Sequence, residues 1–295
     1  MANLRDIRNR ISSVNNTQQI TKAMKMVAAA KLRKAQTRMI STRPFASKMN
    51  EVVGKLVSGD LSDQPLMRSS EVPKLVLVIV VGSDRGLCGA FNNNLFKVVE
   101  KEIQETLYTH QKNGTLELIT IGKKATAYFK KRSYHIVQEV PGFFDRIEYE
   151  ETSSLMNGVI QRFVAGEIDR VHIAYNEFKS VIAQNRIVKE VLPIRPENLL
   201  MEDSGKVETI DYLYENEPKQ ILNVLLPLYL VMELWRAVLE SNASEQGARM
   251  AAMDSATENA KELEQELRLK YNQARQSAIT TEISEIVSGA QALGN

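Results

Sequence analysis

The chain carries a long heptad repeat near each end, and these two repeats constrain the fold more than any other feature of the sequence. In residues 4–39, apolar or small side chains alternate at steps of three and four, and Gln18, Thr21 and Lys25 are polar members of the same series. In residues 243–288 the same spacing persists for six heptads. Helices with such seams pack as coiled coils, and polar seam residues help to fix the register. Two such helices at opposite ends of one chain predict an antiparallel pair.

The middle of the chain has the pattern of an α/β domain. Residues 74–81 form a continuous, mostly β-branched run, which is typical of a strand buried on both faces. Further strands are predicted at residues 116–121, 134–140, 170–178 and, more weakly, 186–192, with helices between them at 92–112, 123–132 and 149–166. Strands that alternate with helices predict a compact, mostly parallel sheet.

These patterns together predict an α/β fold in which a long antiparallel coiled coil of the N- and C-terminal helices carries an inserted Rossmann-like α/β domain. The predicted boundaries are residues 1–57 for the N-terminal helix, 73–196 for the α/β domain and 211–295 for the C-terminal helix. Pro218 is expected at the first position of its helix, where proline is well tolerated. Pro44 is the expected site of any kink in the N-terminal helix.

Charge is distributed unevenly between the two terminal segments. Residues 1–50 hold eleven Lys or Arg and one acid, Asp6, whereas residues 240–295 hold nine acids and five bases. The two helices therefore attract each other electrostatically as well as through their seams. The basic face of the first helix is interpreted either as a solvated surface or as a binding surface for an acidic partner. The net charge of +2 gives no general attraction to nucleic acid.

Residue types that carry catalysis or bind metals are scattered. Cys88 is the only cysteine, so no disulfide can form within the chain, and this fits a reducing compartment. The histidines His110, His135 and His172 lack metal-ligand spacing. We therefore predict no catalytic, cofactor or metal site. The longest uncharged apolar run, at residues 221–232, is shorter than the ~20 residues that span a bilayer.

The glycine-rich segment at residues 82–92 follows the best predicted strand and precedes a helix. A loop in that position can bind phosphate at the helix N-terminus. Its spacing, however, matches neither the dinucleotide fingerprint nor the P-loop. A structural turn is the favoured interpretation over a ligand site, with Asp84 and Arg85 paired either locally or with a partner protein.

Two helical segments have surfaces that suit protein contacts. Residues 24–34 mix Met and Ala with Lys and Arg, which fits either a coiled-coil seam with a solvated basic face or a contact surface inside a protein ring. Residues 279–290 are helical but carry polar groups around much of the circumference. This second segment is either a frayed helix end or a further contact surface.

At these places the sequence resembles the gamma subunits of F-type ATP synthases over nearly its whole length. Residues 20–29, 84–89, 244–250 and 279–290 carry the resemblance, and the last block is the most specific. One departure is Ala90-Phe91, where the family often has a second glycine and Leu. The chain also lacks the cysteine-bearing regulatory insertion of chloroplast members, so thiol control is not expected. No transit peptide is evident at the N-terminus, which favours a bacterial member.

The resemblance implies a non-catalytic subunit. The coiled coil would stand inside a ring of three alpha and three beta subunits, and the α/β domain would form the foot, against the epsilon subunit and the membrane-embedded c-ring. Rotation of the c-ring would then drive ATP synthesis or hydrolysis at the alpha–beta interfaces. Nucleotides would bind there and not to this chain, so no cofactor is expected. The implied location is the cytoplasmic face of the bacterial plasma membrane, reached through the c-ring alone.

The resemblance also implies contact residues. The expected contacts with the beta subunit are Met24, Lys25, Lys31, Arg33, Lys34, Arg275, Gln276, Thr280, Glu282 and Glu285. Near the c-ring and the epsilon subunit, Tyr212 and Glu215 match the contact segment of the family.

Two other classes of protein fit parts of the sequence. A nucleotide-dependent α/β enzyme with helical arms would bind ATP or NAD as an isolated chain, and the missing phosphate-loop spacing argues against it. A basic coiled-coil protein that binds nucleic acid would need the face at residues 1–50 to be open, and its affinity would fall steeply with salt.

Overall fold

The computed structural model describes residues 4–57, 64–70, 72–195 and 217–293. The elements in these ranges are α1 (Leu4–Val57), a 3-10 turn (Pro65–Met67), β1 (Val76–Val81), α2 (Phe91–Glu105), α3 (Tyr108–Lys112), β2 (Leu116–Ile121), α4 (Lys123–Lys130), β3 (Ile136–Val140), α5 (Tyr149–Val164), β4 (Arg170–Phe178), β5 (Gln184–Leu192) and α6 (Pro218–Leu293). The chain divides into two compact units, one of residues 1–28 with 249–295 and one of residues 29–248.

The first unit is an antiparallel pair of helical segments from α1 and α6. The hydroxyl oxygens of Thr21 and Thr257 lie 2.8 Å apart, and the ammonium of Lys25 contacts the carboxylate of Asp254. Because the position on α6 falls as the position on α1 rises, the two segments run in opposite directions. This confirms the predicted antiparallel coiled coil.

Burial along both segments follows the predicted heptad seams. On α6, Met253, Ala260 and Leu267 are buried, and the seam positions between and beyond them, as far as Ala274, are half-buried. On α1, every seam position from Leu4 to residue 25 is half-buried while most of the neighbouring positions are exposed. The alternation of three and four residues is therefore the real contact period, as expected when each seam side chain packs between residues of the facing helix.

The second unit is built on a five-stranded sheet with the order β3-β2-β1-β4-β5. Strands β1, β2, β3 and β4 run parallel to one another, with Val78 of β1 opposite Leu118 on one side and His172 on the other. β5 runs antiparallel to β4 and forms one edge. All six residues of β1 are buried, as the continuous apolar run predicts for a central strand. The mostly parallel α/β sheet is thus confirmed.

Helices cover both faces of this sheet. On one face, alternate residues of β1 pack with side chains of α2 and α4 in an apolar cluster that includes Val78, Phe96 and Phe129. On the other face, Arg162 of α5 donates to Glu117 of β2 at 2.8 Å. Lys189 of β5 contacts Glu233 of α6 at 2.9 Å on that same side. Successive strand residues point to opposite faces, so the two helical layers are held by alternate residues of the same strands.

The sequence predicts a single helix over residues 92–112, and the structure has two. α2 ends at Glu105, and α3 begins at Tyr108 after a break. Leu107 lies in this break with 2% of its surface exposed and joins the apolar cluster under the sheet. Burial of this side chain outweighs continuation of the helix, which periodicity alone does not reveal.

The two internal prolines do not end their helices. α1 continues through Pro44, and α6 begins at Pro218, as predicted, and continues through Pro227. A proline removes one backbone hydrogen bond and crowds the preceding turn. In α6 this local cost is offset by burial, since Leu226 and Leu230 on either side of Pro227 are fully buried.

Candidate functional site

Within the first unit, the C-terminal portion of α6 is a long stretch of continuously exposed helix. Every residue from 275 to 290 is exposed, although the residues remain helical. We call this segment the α6 tip. The predicted contact residues on it are therefore all accessible, and they are Arg275, Gln276, Thr280, Glu282 and Glu285.

The α6 tip also carries an apolar stripe that the sequence analysis missed. Ile279, Ile283, Ile286 and Val287 are 47%, 56%, 65% and 51% exposed. Their spacing of four, three and one places them along one side of the helix. Large apolar side chains exposed in a continuous stripe mark an interaction surface more often than an inert one. The spacing of these residues is present in the sequence, but polar residues occupy the positions between them around much of the helix circumference.

The α1 segment of the same unit carries a second group of exposed apolar residues. Met26 and Val27 are 61% and 57% exposed, and Ile20 is 60% exposed. Of the two residues predicted here, Met24 is half-buried and Lys25 contacts Asp254 at 2.5 Å. The accessible apolar surface thus lies beside the predicted residues rather than on them. A seam position and its neighbours differ in exposure because each step along a helix turns by ~100°.

The basic residues predicted on α1 lie in the second unit. Lys31, Arg33 and Lys34 are exposed, whereas Leu32 and Ala35 between and beside them are buried. The cations therefore stand on the outer face of the helix while its seam packs inward. This geometry leaves their charge available to an acidic partner.

The glycine-rich loop after β1 is held by its own polar groups. Asn92 accepts from the Ser83 backbone N–H at 3.1 Å and donates to the Ser83 hydroxyl at 2.8 Å. The two oxygens of Asp84 accept three backbone N–H bonds, from Lys123 at 3.0 Å, Gly142 at 2.7 Å and Phe144 at 2.8 Å. Asp84 thus pairs locally and ties three loops together. These contacts favour the structural turn over a phosphate site.

A close backbone approach supports this arrangement. Gly122 has a φ of +94°, and a Cβ on it would lie 2.9 Å from the backbone of Ser83. A residue with a side chain would be strained there and would push the two loops apart. Beside them, Cys88 is buried at 2% exposure, as is usual for a free cysteine that packs as a small apolar side chain.

Within residues 4–57, 64–70, 72–195 and 217–293, no group of three or more His, Cys, Asp or Glu could hold a metal ion. Among the helices of the described ranges, α6 is the one long and apolar enough to cross a membrane, but 61% of its most apolar window is buried in the protein. The burial explains the apolar composition, since this part of α6 packs on the sheet. The predicted contact residues Tyr212 and Glu215 lie outside the described residues.

Comparisons with known proteins agree with the architecture. The model of a family described as ATP synthase matches residues 3–293. The ATP synthase gamma chain of Chlorobium phaeobacteroides is 50% identical over 295 residues, which cover 99% of each chain. The gamma chain of Prosthecochloris aestuarii is 48% identical over 294 residues, again 99% of each chain.

Two solved structures extend the comparison. A chain in the central stalk and c-ring structure of the Tetrahymena thermophila mitochondrial ATP synthase is 26% identical, with a TM-score of 0.57 over 80% of this chain and 99% of its own. A chain in the Euglena gracilis mitochondrial ATP synthase shares the fold at 20% identity, with a TM-score of 0.67 over 98% of this chain and 94% of its own. The resemblance read from the sequence is confirmed, and the chain belongs to the ATP synthase gamma-chain family.

Proposed function

We propose that this chain is the central rotating shaft of an ATP synthase, which couples rotation of a c-ring to ATP synthesis or hydrolysis on other subunits. The observation that carries the proposal is the α6 tip, in which residues 275–290 stay helical while every side chain is exposed. A helix end of this length gains little from its own chain, because most helical stability in proteins comes from packing. A surrounding protein would supply that packing.

The apolar stripe on the α6 tip suits such a surrounding protein. Ile279, Ile283 and Ile286 present apolar surface without the deep interdigitation of a permanent seam. Contact with a ring of apolar residues would exclude water, yet would lack the directional hydrogen bonds that fix one orientation. The polar residues Thr280, Glu282 and Glu285 would add contacts that depend on the angle of rotation.

A single chain inside a threefold ring would make the three catalytic sites unequal. A conformational change is transmitted only when the contacts differ between the two states. The exposed cations Lys31, Arg33 and Lys34, with Met24 and Lys25, would provide such contacts to the acidic segment that beta subunits of the family carry. At each step of rotation, a different beta subunit would face these cations.

Membership of the family supports proposals for the remaining partners. The α/β unit would meet the epsilon subunit and the c-ring, with Tyr212 and Glu215 as proposed contacts. Three alpha and three beta subunits would form the ring, and catalysis would stay with them. The chain would then lie at the cytoplasmic face of a bacterial membrane and touch that membrane only through the c-ring.

The proposal is tested by reversing one charge on the α6 tip in the assembled enzyme. Glu282→Lys would be compared with Glu262→Lys, which makes the same change at an exposed position of the same helix within the coiled coil. Coupled ATP synthesis and single-molecule rotation would be measured on complexes that contain the alpha and beta subunits. We expect the Glu282 variant to lose coupling and the Glu262 variant to retain it.

Two results would contradict the proposal. One is assembly of a fully coupled enzyme that lacks this chain. The other is unchanged coupling in a combined variant of Glu282, Glu285 and Ile283, each of which is exposed on the α6 tip. Calorimetry of the isolated chain with ATP tests the competing enzyme class, for which tight nucleotide binding is expected.

A further inference from the structure

Glu240 is a carboxylate buried within the second unit, where α6 packs on the end of β4. It is 5% exposed, and the backbone N–H of Phe178 on β4 donates to its carboxylate. Its Oε2 atom is buried and has no hydrogen-bond partner in the described part of the chain. An ionised carboxylate can accept about four hydrogen bonds. Glu240 is therefore buried with much of that capacity unused.

The neighbouring charges on α6 compensate Glu240 incompletely. The Nε of Arg236 lies 3.7 Å from Oε1 of Glu240, and its Nη1 lies 3.8 Å from Glu233. Both distances exceed that of a normal N–H···O hydrogen bond. Glu233 has a closer cation, since Lys189 of β5 lies 2.9 Å from it. Arg236 also bonds the side chain of Tyr175 on β4. The guanidinium of Arg236 is therefore shared among the carboxylates of Glu233 and Glu240 and the phenol of Tyr175.

Groups on two other elements act on Glu240 in opposite directions. Glu177 on β4 repels the ionised form, and Arg43 on α1 attracts it. Glu177 keeps its own partner, because Asn185 of β5 donates to it at 2.8 Å. Burial is the largest influence and raises the pKa of Glu240 to about 7, against the lowering by Arg236. Ionisation is thus opposed by lost solvation and by a fixed like charge.

We propose that Glu240 is a proton switch that sets how firmly α6 is held against β4. In the neutral form, the carboxyl group needs no counter-charge, and its burial costs less solvation free energy than burial of the ionised form. In the ionised form, the same site holds an undercompensated negative charge beside Glu177. The proton therefore strengthens the attachment of α6 to the sheet, and its loss weakens it.

The packing of α6 on the sheet is a property of the isolated chain, so the proton switch is independent of the proposed function and of what the chain binds. Within an energy-coupling complex, however, it would make the attachment of α6 responsive to the pH of the compartment.

The first test is a carboxyl titration of the full-length chain labelled with carbon-13 in the glutamate side chains. NMR would follow the carboxyl resonances of the wild type, Glu240→Gln and Glu262→Gln. We expect one resonance to titrate at least about one pH unit above the others, to be absent from the Glu240 variant and to persist in the Glu262 control. The proposal would be overturned if no glutamate resonance of the wild type had such a raised midpoint. It would equally be overturned if the resonance with the raised midpoint were still present in Glu240→Gln.

The second test uses a variant that retains Glu240, in case Glu240→Gln folds poorly. Glu177→Gln removes the like charge and retains a side-chain oxygen for Asn185. The titration midpoint of the Glu240 carboxyl resonance should therefore move to lower pH. An unmoved midpoint would contradict the assigned environment. In urea unfolding of the wild type, the equilibrium constant for unfolding should rise with pH between about 4.5 and 7, relative to Glu240→Gln, by roughly a hundredfold. If the equilibrium constants for unfolding of the wild type and of Glu240→Gln changed with pH in parallel, the result would contradict the proton switch.

Discussion

The ammonium nitrogen of Lys25 lies 2.5 Å from Oδ1 of Asp254 and joins the two helical segments of the coiled coil. The sequence analysis assigned Lys25 to a contact with a partner protein, and the structure gives it an internal partner. Its side chain is still 39% exposed and that of Asp254 is 62% exposed. A partner's carboxylate could therefore compete for Lys25, because an ion pair this exposed is held weakly.

The first prediction concerns the strength of this pair. In a double-mutant cycle with Lys25→Met and Asp254→Asn, we expect a coupling free energy of at most about 1 kcal/mol, since exposed ion pairs are screened by water. The coupling should shrink as salt is raised. Urea unfolding of the four proteins at low and high salt measures it. A coupling free energy of several kcal/mol that does not change with salt concentration would show that the pair strongly stabilises the coiled coil.

The second prediction concerns the apolar stripe on the α6 tip. Ile283→Ser should leave the free energy of unfolding of the isolated chain within about 0.5 kcal/mol, because the side chain is exposed. In the assembled enzyme, the same change should weaken assembly or coupled ATP synthesis. Leu267→Ser is the matched control, since Leu267 is buried in the seam and its loss should destabilise the isolated chain. Equal behaviour of the two variants in both assays would contradict a contact role for the stripe.

The third prediction concerns Asp84, whose carboxylate accepts three backbone N–H bonds, two from the loop between β3 and α5 and one from the start of α4. Asp84→Asn would place an NH₂ group against at least one of these donors. We expect a loss of roughly 1.5–3 kcal/mol in the free energy of unfolding, since bonds to a charged acceptor are among the stronger ones.

Asp145→Asn serves as the control for that measurement. Asp145 lies near the same loop and contacts Arg85 at 2.9 Å, but both side chains are more than half exposed. Its substitution should cost no more than about 1 kcal/mol. Equal losses for the two variants in urea unfolding would mean that the backbone bonds of Asp84 add nothing beyond its charge.

The fourth prediction concerns pH and His172. Burial, together with Arg170 and Arg195, lowers the pKa of His172 to about 4 from 6.5. Between these two values the unfolded chain binds the proton and the folded chain does not. The stabilising effect of neutral His172 is therefore full above about pH 6.5 and is lost as the pH falls toward 4, by up to about 3 kcal/mol.

In His172→Gln, the free energy of unfolding should fall less between about pH 6.5 and pH 4 than in the wild type. In His135→Gln, at an exposed position, the wild-type fall should remain. Glu240 contributes a slope of the opposite sign over nearly the same pH interval, so the wild-type profile is the difference of two effects. Unfolding measured at several pH values for each single variant separates them. If the free energy of unfolding of His172→Gln falls with acid as steeply as that of the wild type, protonation of His172 is not linked to folding.

Much of the fold was predictable because the signals are local. The seams in α1 and α6, the buried run of β1 and the start of α6 at Pro218 all follow from side-chain periodicity or proline geometry over a few residues. Less of the candidate site was predictable. The residues named on the α6 tip are exposed as required, but the stripe at Ile279, Ile283 and Ile286 became evident only when the exposure of each position was known.

Contacts between segments that are distant along the chain could not be predicted from the sequence. Nothing near Asp84 indicates that Gly142 and Phe144 supply its donors, because the loops that carry them meet only after the parallel strands align. The antiparallel direction of β5 and the break at Leu107 likewise depend on which surface remains to be covered.

Two seamed terminal helices and a central sheet were predictable from the order of the residues, since helical and strand periods are set by backbone geometry. The contact of Lys25 with Asp254 and the burial of Glu240 beside Glu177 emerged from the folded chain alone. Charge and hydrogen-bonding behaviour depend on which groups from distant parts of the chain are brought within a few ångströms, and on how much water they exclude.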